Sequence, residues 1–133
     1  MGKKTLVLGA SLNEARYSNI VIHKLLESKH PVKAIGFKEG VISSVIVSTE
    51  KKIFKSIDTV TLYLSPDNQV IFYNYIVHLK PNRVIFNPGT ENIKFQKTVL
   101  QLESVIFSES ELSCVFLLKH NNYYIEKLLL FRF

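Results

Sequence analysis

The sequence has little cysteine, little glycine and no long apolar run, and each scarcity excludes a class of protein. Its 133 residues include one cysteine, Cys114, so a framework of internal disulfides is excluded. No apolar run approaches the roughly 20 residues that a membrane-spanning helix needs. The first residues carry no apolar signal region. We therefore expect a cytoplasmic protein with no membrane partner.

Acidic residues are also scarce in the first half of the chain. The formal net charge is +6, and residues 1–66 hold ten lysines and arginines against five acids, whereas residues 67–133 hold seven against six. A basic first half favours an anionic partner, either a nucleic acid or a small phosphorylated ligand. Dense basic blocks, zinc-finger spacing and RNA-recognition aromatic motifs are all missing. We therefore expect a phosphorylated small molecule and no nucleic acid.

Short apolar runs alternate along the chain with helical patterns. The runs at 4–8, 32–36, 59–64 and 83–86 are typical of buried strands, and a strand or hairpin is expected at 45–47. A helix follows the first strand, with Ser18 as its cap, and another follows the third strand over 70–79, with Asp67 as its cap. A helix at 92–102, a last strand at 105–107 and a helix at 109–118 complete the pattern. This alternation predicts an α/β fold with a doubly wound, mainly parallel sheet of about five strands and helices on both faces.

In such a sheet, ligands lie beyond the carboxyl ends of the strands, which selects four loops. In the first loop Gly9 allows a tight turn, and Ala10 and Ser11 lead towards a helix whose free amides, near Ser18, suit a phosphate. Arg16 adds a cation whose planar fork matches phosphate oxygens. The dinucleotide fingerprint G-x-G-x-x-G is incomplete, because Ser11 stands where its second glycine belongs.

The second loop bears on the choice of cofactor. An NAD site places an acid after the second strand to bind the ribose, whereas this chain has Gly36, Phe37 and Lys38 there. A lysine favours an extra ribose phosphate, as in coenzyme A or NADP. Glu39 leaves the choice open, since a shift of one residue restores an acid. The candidate residues of the last two loops are Ser65, Pro66, Asn87, Pro88 and Gly89.

Catalytic and metal-binding patterns are missing from the sequence. The four histidines, His23, His30, His78 and His120, all fall outside the candidate loops. No spacing of His, Cys and carboxylate residues is typical of a metal site. We therefore expect a protein that binds its ligand without evident catalysis, with no catalytic and no metal-ligating residues.

Four motifs in order, LVLGASLNEARYSN, GFKEG, YLSP and RVIFNPGTEN, resemble the stand-alone CoA-binding domain family. The fold of that family is similar to the CoA-binding domain of the succinyl-CoA synthetase α subunit. The resemblance implies a Rossmann-like domain over residues 1–118 that binds coenzyme A or an acyl-CoA, followed by a structural or disordered extension at 119–133. It also implies that the first loop cradles phosphate, that Lys38 meets the adenosine phosphate end, and that the last two loops flank the ligand.

Two alternatives stay open at this point. One is an NAD- or NADP-binding enzyme or redox-sensing module on the same fold. The other is a scaffold that has lost ligand binding and works as a homodimer through the last helix and the tail.

Overall fold

A single sheet of six strands organises the protein. The computed structural model describes residues 2–95. In chain order the elements are β1 (Thr5–Ala10), α1 (Tyr17–Glu27), β2 (Val32–Gly36), β3 (Gly40–Ile42), β4 (Val45–Ser48), β5 (Thr59–Leu62), α2 (Pro66–Gln69), a 3₁₀ turn (Val70–Phe72), α3 (Tyr73–Leu79) and β6 (Arg83–Phe86).

The order of strands across the sheet is β3-β4-β2-β1-β5-β6. All neighbours are parallel except β3, which runs antiparallel to β4 as the first arm of a hairpin. The chain adds strands on one side of β1 and then returns to add β5 and β6 on the other side. The strand order therefore reverses between β1 and β5, and a crevice is expected there at the carboxyl ends of the strands.

Alternate residues of β1 pack into two cores on opposite faces of the sheet. Leu6 and Leu8 belong to the core that includes Ile76 of α3, whereas Val7 belongs to the core that includes Leu25 of α1. Both faces are thus covered, which is why β1, β5 and β6 are buried along almost their whole length, the threonines of β5 included.

These features confirm the predicted doubly wound α/β fold with helices on both faces. Residues 2–95 contain six strands, and the segment around 45–47, where a strand or hairpin was predicted, supplies two of them, β3 and β4. The predicted strand at 105–107, the helix at 109–118, most of the helix at 92–102 and the extension at 119–133 lie outside the described residues.

Both predicted helix caps are wrong. Helix α1 begins at Tyr17 with Arg16 in the cap position, so Ser18 lies inside the first turn. The second helical segment begins at Pro66 after Ser65 and is interrupted by the 3₁₀ turn, so Asp67 lies in its first turn. Proline suits the first helical position, because a backbone N–H at that position has no acceptor within the helix and its absence loses no hydrogen bond.

A polar cluster lies at the amino ends of the strands, away from the crevice. The backbone N–H of Lys3 donates to Nδ1 of buried His30 at 2.9 Å. Burial lowers the pKa of His30, and the charges of Arg83 and Lys3 lower it further, while Asp58 opposes them. His30 is therefore held as a neutral acceptor.

Candidate functional site

A cleft of about 690 Å³ opens where the strand order reverses, at the carboxyl ends of β1, β2, β5 and β6. It collects residues from all four loops that the sequence selected. The cleft is lined by Gly9, Ala10, Ser11, Leu12, Asn13, Arg16, Tyr17, Ser18, Phe37, Lys38, Tyr63, Leu64, Ser65, Asn68, Pro88, Gly89 and Thr90.

Two glycines, Gly9 in the cleft lining and Gly36 in the lining of a smaller adjoining cavity, allow neighbouring strands to come close together. Gly9 has φ +91°, and a Cβ there would lie 2.8 Å from the carbonyl carbon and oxygen of Tyr63. A Cβ on Gly36 would lie 2.2 Å from the carbonyl oxygen of Ala10. The β1–β2 register shifts between Leu8 and Ala10, at Gly9 itself. Neither position therefore has room for a side chain, and the turn after β1 can pack closely against the neighbouring strands.

The loop between β1 and α1 is held by hydrogen bonds to the helix. The backbone N–H of Ser11 donates to Oγ of Ser18 at 3.1 Å, and Nδ2 of Asn19 donates to the carbonyl oxygen of Ser11 at 2.9 Å. Within the loop, the N–H of Asn13 donates to Oγ of Ser11, and the N–H of Ala15 donates to Oδ1 of Asn13. Ser18 thus anchors the loop instead of capping the helix.

The amino end of α1 faces the cleft with unused donors. No side chain caps this helix, and the amides of Tyr17 and Ser18, in its first turn, have no carbonyl four residues earlier within the helix. The helix dipole adds partial positive charge at the same end. Arg16, in the cap position, lines the cleft with an exposed side chain. This arrangement is suited to an anion.

The charged residues that line the cleft are basic, and an acidic contact lies outside the lining, where Oε2 of Glu91 accepts from the backbone N–H of Gly89 at 2.8 Å. Arg16 and Lys38 line it, and no aspartate or glutamate does so in the part of the chain that the structure describes. Glu39, which sequence reasoning left as a candidate for a ribose contact, lies outside the lining, and its carboxylate accepts a long 3.5 Å hydrogen bond from Oγ1 of Thr49. A cleft that is lined by basic residues and by no acidic residue attracts anionic ligands.

A smaller cavity of about 170 Å³ adjoins the cleft and shares Gly9, Phe37 and Leu64 with it. Thr49 and Lys51, from the loop after β4, are its polar lining residues. The other residues that line it are Ile35, Gly36, Ile71 and Phe72. An apolar cavity of roughly 150 Å³ accepts a benzene ring, so this one suits a flat ring system.

Aromatic side chains flank the openings. Phe37 lines both cavities and is 68% exposed, and Tyr17 lines the cleft and is 69% exposed. Exposed rings of this size are available to stack on a ligand ring.

The far wall of the cleft is fixed by a buried glutamine. Gln69 is fully buried, and its Nε2 donates to the carbonyl oxygens of Leu64 at 2.7 Å and Thr90 at 2.8 Å. Its Oε1 accepts from Nδ2 of Asn92 at 3.0 Å, and the same Nδ2 donates to the hydroxyl of Tyr73 at 2.7 Å. One side chain thus ties the loop after β5 to the loop after β6.

Ten of the thirteen predicted site residues line the cleft: Gly9, Ala10, Ser11, Arg16, Ser18, Phe37, Lys38, Ser65, Pro88 and Gly89. Gly36 lines only the smaller cavity. Pro66 lines neither cavity and begins α2. Asn87 also lines neither, since it is buried and its Nδ2 donates to Oγ1 of Thr61 and the carbonyl oxygen of Leu62.

Sequence reasoning missed Tyr17, Asn68, Thr90 and Lys51 as lining residues. The first three were within its reach, because each lies within or beside a selected loop. Lys51 was not, because the segment before it showed no clear strand pattern, and so no loop was selected there.

Residues 2–95 contain neither a candidate membrane-spanning helix nor a candidate metal site. None of the helices there is long and apolar enough to cross a membrane. No group of three or more His, Cys, Asp or Glu residues in that range is placed to hold a metal ion.

The doubly wound sheet, with its glycine turn and helix end at the point of reversal, defines a Rossmann-like domain. A family model described as a CoA binding domain matches residues 3–109. The chain therefore belongs to the CoA-binding domain family, as the resemblance of its four motifs predicted. No protein with a curated description matches the chain.

Solved structures share this fold. The crystal structure of an uncharacterized protein is 34% identical, with a TM-score of 0.85 over 92% of this chain and 99% of that chain. A hypothetical protein from Pyrococcus horikoshii OT3 is 21% identical, with a TM-score of 0.78 over 90% of this chain and 83% of that chain.

A larger enzyme contains a similar domain. The dinucleotide-forming acetyl-coenzyme A synthetase 1 of Ca. Korarchaeum cryptofilum, solved with phosphate and ADP, is 11% identical. The TM-score is 0.64 over 81% of this chain and 25% of that chain. At this identity the likeness shows the fold alone.

Proposed function

We propose that the protein is a small cytosolic module that binds coenzyme A or an acyl-CoA in the cleft and holds it without chemistry of its own. Membership of the CoA-binding domain family supports coenzyme A as the ligand. The observation that carries the proposal is the cleft at the strand reversal, which combines a helix amino end, two basic side chains and no lining acid.

The phosphates are assigned to the amino end of α1. Arg16 offers a planar fork of donors there, and the amides of Tyr17 and Ser18 complete the contact. Gly9 lets the pyrophosphate approach the backbone. The charge of Lys38, on the loop after β2, is available to the phosphate on the adenosine ribose.

The adenine is assigned to the smaller cavity. Its size and apolar walls suit one flat ring system, and the residues it shares with the cleft allow one molecule to occupy both. The exposed ring of Phe37 lies at this border. The pantetheine arm then extends along the cleft towards the walls formed by Ser65 and Pro88.

Calorimetry with coenzyme A, acetyl-CoA, NADP, NAD and ATP tests the proposal. We expect both CoA ligands to bind more tightly than NAD. No heat and no thermal shift with either CoA ligand at millimolar concentration would overturn it. NADP is the second candidate, because Lys38 suits a 2′-phosphate as well as a 3′-phosphate, and tight NADP binding without coenzyme A binding would establish it.

Two charge-removing variants locate the ligand. Arg16→Ala and Lys38→Ala are each expected to weaken coenzyme A binding by roughly 1 to 3 kcal/mol. Neither should change stability much, since α1 has no side-chain cap to lose and Lys38 is exposed. Lys55→Ala is the control, because that exposed lysine lines neither cavity. Equal affinities for the parent and both site variants would rule out this placement.

A further inference from the structure

Lys51 lies in the wall of the smaller cavity, where sequence analysis expected no site residue. Its Nζ donates to the carbonyl oxygen of Ile71 and lies 5.2 Å from the centre of the Phe72 ring. Ile71 and Phe72 line the same cavity. The long side chain is therefore held across one side of an apolar cavity.

The charge of Lys51 has no acidic partner in the described part of the chain. No carboxylate lies within ion-pair distance of its Nζ among residues 2–95, and no acid lines either cavity there. An ammonium group has three donors, and the carbonyl oxygen of Ile71 uses one. Two donors and an unneutralised charge remain for a ligand.

The position of Lys51 relates it to one part of the proposed ligand. If the base occupies the smaller cavity and the 5′-phosphates lie at the amino end of α1, the ribose lies between them, at the residues that both cavities share. Lys38 lines the cleft on one side of that border, and Lys51 lines the smaller cavity on the other side. A substituent on the ribose hydroxyls would then lie where both lysines are available to it.

We propose that Lys51 determines specificity by binding a phosphate monoester on the ribose of the adenine nucleotide. This inference rests on the proposed function, and it adds that the protein selects nucleotides phosphorylated on the ribose over those that are not. Coenzyme A and NADP share this feature, an adenosine with an additional phosphate on its ribose. Coenzyme A carries that phosphate at the 3′ position, and NADP carries it at the 2′ position.

Three small nucleotides test the inference on the full chain by calorimetry: adenosine 5′-monophosphate, adenosine 3′,5′-bisphosphate and adenosine 2′,5′-bisphosphate. We expect the parent protein to bind the 3′,5′-bisphosphate most tightly. Lys51→Met keeps the apolar stem and removes the ammonium, and it should weaken binding of that bisphosphate by about tenfold or more. Binding of the monophosphate should change by less than about twofold, since it has no ribose phosphate to lose.

Two further variants separate charge from packing. Lys51→Arg should retain most of the preference for the bisphosphate, because arginine keeps a cation in the same wall of the cavity. Lys52→Met is the matched control. It removes the same charge from the adjacent residue, which is exposed as Lys51 is but lines neither cavity. It should leave all three affinities unchanged, and thermal unfolding should show every variant folded.

The outcomes separate this inference from the proposed function. If the parent protein binds coenzyme A but does not prefer either bisphosphate to the monophosphate, only the inference is overturned. The same holds if Lys51→Met weakens all three nucleotides equally. A preference for the 2′,5′-bisphosphate that depends on Lys51 supports the inference, and if coenzyme A also fails to bind, it overturns coenzyme A in favour of NADP. No binding of coenzyme A or of any of the nucleotides overturns both.

Discussion

Replacing Gln69 with methionine is expected to destabilise the protein severely, because methionine matches the shape of the side chain and keeps none of its hydrogen bonds. The fully buried Gln69 donates to the carbonyl oxygens of Leu64 and Thr90 and accepts from Asn92. A buried polar group that loses its partner costs about 1 to 3 kcal/mol. In Gln69→Met the groups that lose a partner are the carbonyl oxygens of Leu64 and Thr90 and Nδ2 of Asn92. Nδ2 of Asn92 keeps its hydrogen bond to the hydroxyl of Tyr73.

Because losses within one network are not additive, we expect a total of about 3 kcal/mol, within a range of about 2 to 5. Urea unfolding measures this loss directly. With a slope of about 1 to 3 kcal/mol per molar urea, a loss of about 3 kcal/mol lowers the midpoint by about 1 to 3 M. The exposed neighbour Asn68 provides the control, and Asn68→Ala should move the midpoint by less than about 0.3 M.

A double-mutant cycle with Asn92→Leu checks the reasoning. If Gln69 and Asn92 act through one network, the double variant should lose at least about 1 kcal/mol less than the two single losses combined. A midpoint shift below about 0.5 M for Gln69→Met, or additive losses in the cycle, would refute the network as described.

The remaining predictions concern a buried histidine and a glycine. The pKa of His30 is lowered in the folded protein, so the unfolded chain binds more protons just below pH 6.5, and stability should fall as the pH drops through that range. His30→Asn keeps an acceptor near Nδ1 and should flatten the decline in melting temperature between pH 7 and 5. An unchanged slope in His30→Asn would contradict the assignment. Gly36→Ala should cost roughly 1 to 3 kcal/mol in urea unfolding, because its Cβ would lie 2.2 Å from the carbonyl oxygen of Ala10. Gly89→Asn faces open space and should cost less than about 1 kcal/mol; equal losses at the two positions would argue against the close approach.

The strands of the parallel sheet were predictable because each is an apolar run that ends at a turn residue. Thr5–Ala10 and Arg83–Phe86 are buried along almost their whole length, as strands covered on both faces must be. The carboxyl ends of such strands lie at one edge of the sheet, so the sequence was enough to select four loops that contribute to the lining of the cleft.

The helix starts were less predictable, because several polar residues compete for each cap. Ser18 has the right chemistry for a cap, but its hydroxyl is used by the amide of Ser11, seven residues earlier. That contact depends on the path of the whole loop. At the second helix a local signal did exist, since Pro66 at the first helical position marks the start better than Asp67 does.

Lys51 and Asn87 show where sequence reasoning about the site ends. Lys51 follows the short strand β4, whose four residues carry too little pattern to mark a carboxyl end. Asn87 follows a clear strand, but its side chain is buried against β5. Proximity to a strand end selects a loop, whereas the direction of each side chain is decided by contacts made across the sheet.

The hydrogen bonds within the loop between β1 and α1 have a consequence for the kinetics and thermodynamics of binding. Ser11 and Asn13 fix this loop through hydrogen bonds made within the chain itself. An incoming anion therefore does not have to order the loop, so little conformational entropy is lost on association. Capture should be limited by diffusion and steered by charge, and its rate should fall as the salt concentration rises.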